Sequence, residues 1–148
     1  MLQRQRIPNL KVDEHFWEGR LESIRHHEEH LARNGMAVVK FWLNVSKEEQ
    51  KQRFLSRLDK PEKNWKFNAE DVEERQHWDS YMHAYEQALR ATSQSWAPWY
   101  SIPADNKRYM RWAVANIVRQ TLETLGLGYP EVSDDDRVRF AEIRKRLV

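Results

Sequence analysis

The sequence predicts an α/β protein in which helices dominate and flank a small parallel sheet. Residues 36–45, MAVVKFWLNV, and the segment Trp99 to Ile102 are short, apolar and rich in β-branched and aromatic residues. They read as buried strands. Around them apolar residues recur at helical spacing, and strands that alternate with helices indicate a parallel arrangement. Two strands alone make a poor sheet. A parallel sheet is covered on both faces and both flanks, so the pattern predicts part of something larger.

Residues 1–13 read as an irregular lead-in. A helix is expected over 14–33, with Phe16, Leu21, Ile24 and Leu31 on a mostly polar surface and Asn34-Gly35 as its stop. After the first strand, Ser46 and Glu49 form a capping box that starts a helix over 47–58, burying Phe54, Leu55 and Leu58. Asp59 to Phe67 reads as a loop carrying lysines. Asn68 caps the next helix, 69–90, whose acidic start suits the helix dipole. Its stripe of Trp78, Tyr81, Met82, Tyr85 and Leu89 reads as core. Residues 91–98 are a loop, and Pro103 closes the second strand. Asp105 is placed to cap a helix over about 107–125, with Met110, Val114, Ile117, Val118 and Leu125 inward. Gly126, Gly128 and Pro130 end it. Ser133 caps a short terminal helix with a weak apolar face.

Composition bounds the function. A length of 148 residues usually means one domain. A mean hydropathy of −0.94 predicts a thin core supported by contacts outside the chain. The net charge is only +2, so the chain as a whole is not a polycation. The lack of cysteine excludes disulfides and thiolate metal sites and fits a reducing compartment. No apolar run approaches the roughly 20 residues of a membrane span, and MLQRQRIPNL lacks a signal-peptide core. A cytoplasmic location is the expectation.

The densest chemistry lies in KQRFLSRLDKPEKNWK, residues 51–66. Lys51, Arg53, Arg57, Lys60, Lys63 and Lys66 are opposed only by Asp59 and Glu62. Arg53 and Arg57 share a helix face, and the lysines follow across a break at Pro61. Flexible cations beside such a turn suit a polyanion, most simply a chain of phosphates. The same run also reads as a solvated basic helix end. A second candidate follows the second strand. In open α/β sheets ligands sit beyond the carboxyl ends of the strands, where Asp105 and Lys107 fall. Asp105 serves equally well as a helix cap there. His26, His27 and His30 have metal-like spacing but lie on a polar helix face without further converging ligands, so they read as solvated surface. A nucleic-acid interface is disfavoured because the basic run is confined and the acidic helix from Glu70 would repel a long phosphate backbone. No G-x-x-x-x-G-K-[ST] loop, G-x-S-x-G elbow or dinucleotide fingerprint occurs.

Several ordered motifs coincide with a known family. Ser46-Lys47-Glu48-Glu49-Gln50, Arg53-Phe54-Leu55, Arg57-Leu58 and Pro61 to Phe67 resemble the lid region of the polyphosphate kinase 2 family. So do Trp78-Asp79, Tyr81, Tyr85-Glu86, Ala88 to Ser93, Ala97 to Tyr100, Ile102 to Asp105 and Lys107. The resemblance covers residues 7 to 132. It implies part of a P-loop-kinase-like parallel sheet with flanking helices and a helical lid over about 46–92, so that residues 1–132 form the C-terminal half of such a domain and 133–148 a separate short helix. It implies phosphoryl transfer between inorganic polyphosphate and nucleoside mono- or diphosphates, with Mg²⁺, for which this chain offers no identifiable ligands. It also implies phosphate contacts from Arg53, Arg57, Lys60, Lys63 and Lys66, and a nucleotide site near Asp105 and Lys107.

The family's Walker A loop and aspartate-bearing Walker B segment find no match in this sequence. The chain therefore reads as a piece of a phosphotransferase that binds polyphosphate or nucleotide phosphates and is inactive alone. Its expected partners include a homo-oligomer or a chain carrying the P-loop half. The alternative is an interaction or oligomerisation protein derived from the kinase fold.

Overall fold

The computed structural model describes residues 13–147. Helix α1 (Glu14–Arg33) begins where Asp13 accepts a hydrogen bond from the Phe16 amide. It ends at Asn34 and Gly35, whose φ of +82° is cheap only without a Cβ. Strand β1 (Lys40–Asn44) and strand β2 (Trp99–Pro103) pair in parallel, with Lys40 opposite Trp99 and Asn44 opposite Pro103. The first strand is shorter than the 36–45 segment that the sequence predicts, because β2 offers only five residues to pair with. The lead-in expected over residues 1–13 lies outside the described residues except for Asp13.

The crossover between the strands is almost wholly helical. It comprises α2 (Lys47–Asp59), a 3₁₀ turn (Pro61–Lys66), α3 (Ala69–Glu74), a second 3₁₀ turn (Arg75–His77) and α4 (Trp78–Thr92). Ser46 Oγ accepts from the Glu49 amide at 3.1 Å. The Glu49 carboxylate does not close the box; it accepts from Arg53 Nε at 2.8 Å. The segment read as a lysine-bearing loop is ordered as a 3₁₀ turn instead. Pro61 at its first position presets φ, and Asn64 Nδ2 donates to the Arg57 and Leu58 carbonyls at 2.7 and 2.9 Å, closing the end of α2. The single helix expected over 69–90 is broken at Arg75–His77. Helix α5 (Lys107–Thr124) is capped by Asn106, which accepts from the Arg108 and Tyr109 amides. The expected cap, Asp105, is engaged elsewhere.

The core is thin. The buried apolar residues are Ala97, Ile102, Ala104 and Ala113, and among the described residues no large side chain is fully enclosed. Leu55 and Leu58, expected inside, are 42 and 50% exposed, and Val118 and Leu125 are likewise outward. A two-stranded sheet does not present enough apolar surface to cover every helix face. Polar ties compensate around the start of β1. Lys40 Nζ donates to Glu28 Oε2 at 2.6 Å and to the Thr92 carbonyl at 2.7 Å, and sits 5.1 Å from the centre of the Trp99 ring. Thr92 Oγ1 in turn accepts from Trp99 Nε1 at 2.9 Å. These bonds join α1, α4 and both strands.

The chain forms two compact units, one through Val118 and one from Arg119 onward. The second contains α6 (Asp134–Leu147), with Ser133 Oγ accepting from the Asp136 amide, aspartates in the first turn and Arg144, Lys145 and Arg146 in the last. That polarity opposes the helix dipole. No helix among the described residues is long and apolar enough to cross a membrane.

Candidate functional site

A cavity of about 460 Å³ opens at the carboxyl end of β1. Two helical stripes build it. From α2 come Gln50, Arg53, Phe54 and Arg57, spaced by three, four and seven residues and so on one side of the helix. From α3 through α4 come Asp71, Glu74, Arg75, Trp78, Tyr81, Met82 and Tyr85; β1 supplies Trp42 and Leu43, and Val45 follows just after it. The aromatic stripe expected to be core therefore lines an open cavity, with Tyr81 and Tyr85 40 and 42% exposed. The Trp42 and Tyr85 rings lie 4.0 Å apart and give it an aromatic wall.

Three guanidinium groups border this cavity, and they are held differently. Arg53 is committed: Nε donates to Glu49 at 2.8 Å and Nη2 to the Ala104 carbonyl at 2.6 Å. Arg75, which the sequence reading missed, donates through Nη1 to the Lys47 carbonyl and to Gln50 Oε1, both at 2.7 Å. Its signal was its place one turn before Trp78, in line with the aromatic stripe. Arg57 lies over the Phe54 ring, and its nearest carboxylate, Asp71, is 3.8 Å away, beyond hydrogen-bond reach. It is the cavity guanidinium least engaged with the protein. Tyr81 donates to Glu74, and that bond pushes its phenol above the usual tyrosine range.

The predicted phosphate-binding set divides. Arg53 and Arg57 face the cavity, while Lys60, Lys63 and Lys66 run along the adjoining 3₁₀ turn. Lys63 Nζ donates to Ser56 Oγ at 3.2 Å, and Lys66 Nζ rests 4.8 Å from the centre of the exposed Trp65 ring. The predicted nucleotide residues lie at the end of β2. Asp105 Oδ1 accepts from the Ser46 amide at 2.7 Å, and Lys107 is exposed at the start of α5. Asp105 thus ties the exit of β2 to the start of α2, as Arg53 does through the Ala104 carbonyl. The Ser46 backbone amide, then the Ser46 hydroxyl and the Arg53 charge, hold the Asp105 carboxyl below the usual aspartate range.

A folded-state value below the unfolded one stabilises the protein above the unfolded value, and this contribution is lost as pH falls through the folded value. Asp105→Asn keeps an acceptor for the Ser46 amide but removes the charge. The parent is expected to be more stable than Asp105→Asn at pH 7, the two converging below about pH 3.8, as urea midpoints at successive pH values would show.

Among the described residues no group of three or more His, Asp or Glu side chains is placed to hold a metal ion. Asp71 and Glu74 line the cavity, but Glu74 is occupied by Tyr81 and Asp71 lies beside Arg57.

Parallel strands joined by helices, with a cationic cavity at a strand's carboxyl end, are the frame of an α/β phosphate-handling protein. The chain belongs to the polyphosphate kinase 2 (PPK2) family, whose profile matches residues 4–127. It is 53% identical over 132 residues to an uncharacterised protein of Leptolyngbya boryana, matching 89% of this chain and 97% of that one. It is 46% identical to an ADP-polyphosphate phosphotransferase of Rhodopseudomonas palustris, over all of this chain and 52% of the relative. The crystal structure of polyphosphate kinase 2 from Arthrobacter aurescens TC1 superposes with a TM-score of 0.84 at 39% identity, covering 90% of this chain and 47% of the other. The chain thus spans about half the length of the phosphotransferase it matches.

Proposed function

We propose that this chain is the lid-bearing half of a polyphosphate:nucleotide phosphotransferase, and that it binds inorganic polyphosphate or the phosphates of a nucleoside mono- or diphosphate. The observation that carries the reading is Arg57, a guanidinium lining the cavity whose nearest carboxylate is 3.8 Å away. A phosphate oxygen approaching to about 2.8 Å gains charge-assisted bonds that Asp71 does not supply. Lys60, Lys63 and Lys66 on the adjoining turn extend the cationic track along a phosphate chain. Arg53 and Arg75 act mainly by fixing α2, and so fix the direction of Arg57. The family relationship and the similarity to an ADP-polyphosphate phosphotransferase support this substrate class.

The test is titration of the chain with linear polyphosphate at several salt concentrations. Trp42 and Trp78 line the cavity and provide a fluorescence signal. Hydrogen bonds to charged groups are worth about 1.5–3 kcal/mol each, so Arg57→Ala combined with Lys63→Ala is expected to weaken binding at least tenfold and to flatten its salt dependence. Binding that the double variant leaves intact would overturn the reading.

A further inference from the structure

Charge is divided between the two helical walls of the cavity. The α2 wall carries Arg53 and Arg57, and the α3 wall carries Asp71 and Glu74, with Arg75 just beyond. Arg53, Glu74 and Arg75 are each engaged in hydrogen bonds with the protein. Arg57 and Asp71 are held differently. Their closest atoms, Nη1 and Oδ2, lie 3.8 Å apart, where opposite charges attract without a hydrogen bond. The side chains are 34 and 47% exposed, so water screens the attraction and the pair parts easily. The main chains beneath them are better fixed. Asn64 Nδ2 donates to the Arg57 carbonyl at the end of α2, and the Asp71 amide donates to the Asn68 carbonyl at 3.2 Å in the first turn of α3. The guanidinium rests on the Phe54 ring, 5.4 Å from its centre. A phosphate that reaches Arg57 therefore arrives beside a carboxylate of its own sign, on a backbone that does not retreat, and like charges so placed oppose each other.

We infer that Asp71 is a built-in competitor for phosphate at Arg57. It is the partner to which the guanidinium returns when phosphate leaves, and it holds the affinity for phosphate down so that the site lets its ligand go. This rests on the phosphate-binding reading given above and adds its regulation. A lone anion meets this opposition with Arg57 alone. A chain of phosphates also reaches Lys60, Lys63 and Lys66 on the adjoining turn, and these added contacts overcome it. Asp71 thus sets the strength an anion needs in order to stay.

The experiment titrates the full chain and its variants with linear polyphosphate, read by the fluorescence of Trp42 and Trp78. Asp71→Asn keeps the size of the side chain and removes its charge, and it is expected to tighten binding about three- to tenfold. In an Arg57→Ala background the same change is expected to gain at most about twofold, because its effect runs through the guanidinium. Asp71→Glu keeps the charge and is expected to bring no gain. Glu70→Gln, in the same turn but not lining the cavity, removes an equal charge and is expected to alter affinity by at most about twofold. Asp71→Ser also removes the charge, so it carries the test if the amide variant fails to fold. Were Asp71 instead to hold Arg57 in its binding orientation, Asp71→Asn would weaken binding. That result, an unchanged affinity, or an equal gain in the Arg57→Ala background overturns the proposal. A parent chain that binds no polyphosphate overturns the phosphate-binding reading and this proposal together. A parent that binds, with no gain in Asp71→Asn, overturns the competitor role alone.

Discussion

Purified alone, the 148-residue chain is expected to transfer no phosphoryl group from polyphosphate to AMP or ADP above background, even at saturating nucleotide and Mg²⁺. Phosphoryl transfer is achieved by positioning and by neutralising charge on the transferring group, and this takes several parts at once. A cradle of backbone amides holds the phosphate chain, a metal bridges its oxygens, and cationic side chains complete the cage. Of these parts the proposed reading gives the chain only the cations. Its glycines are Gly19, Gly35, Gly126 and Gly128, none of which opens a phosphate-cradling loop. Its described carboxylates converge on no metal position. Arginine clamps are worth about 10³–10⁵ in rate in related enzymes, but only on a donor already in place. A coupled assay on chain free of any full-length kinase is the check. Turnover within a hundredfold of an intact family member would mean that the cavity by itself assembles a reaction site.

Lys40→Ala is expected to produce the largest loss of stability of any single substitution discussed here, about 3–5 kcal/mol by urea unfolding. The Lys40 and Glu28 side chains are 12 and 11% exposed, so the pair is largely out of water. Removing the ammonium strands the Glu28 carboxylate in a site that no longer offers a cation, and it strips a donor from the Thr92 carbonyl. The contact with the Trp99 ring is lost as well. Replacing both partners by apolar residues of similar volume, Lys40→Met with Glu28→Leu, is expected to recover much of the loss, because the cost lies in the unpaired charge more than in the missing bond. A double variant as unstable as Lys40→Ala would show that the pair is worth more than its absence of charge.

The two expected results rest on information of different range. Local signals were enough for several helix ends. Asn34-Gly35 ends α1, Ser46 opens α2, Asn68 opens α3 and Ser133 opens α6, each through contacts within a few residues. The two strands, their parallel sense and the family were legible for a similar reason: apolar runs and ordered motifs are written along the chain. The family resemblance pointed to Arg53 and Arg57 among five cations, and both line the cavity. Arg75 was passed over, because its value depends on Lys47 and Gln50, more than twenty residues earlier. Asp105 reads locally as the cap of α5, but Asn106 takes that place and the Asp105 carboxylate bonds to Ser46, fifty-nine residues away.

The amino-acid sequence by itself determined most of the helices and both strands, the α/β class and the kinship with polyphosphate kinase 2, since propensity, capping and motif order act over short distances. Only the tertiary structure decided that the aromatic stripe of α4 walls a cavity instead of filling a core. It alone decided that Arg53 and Asp105 tie the exit of β2 to the start of α2, and that Lys40 of β1 meets Glu28 of α1. Those outcomes depend on which surfaces two strands can cover, and that is set by how distant segments pack, not by any one of them.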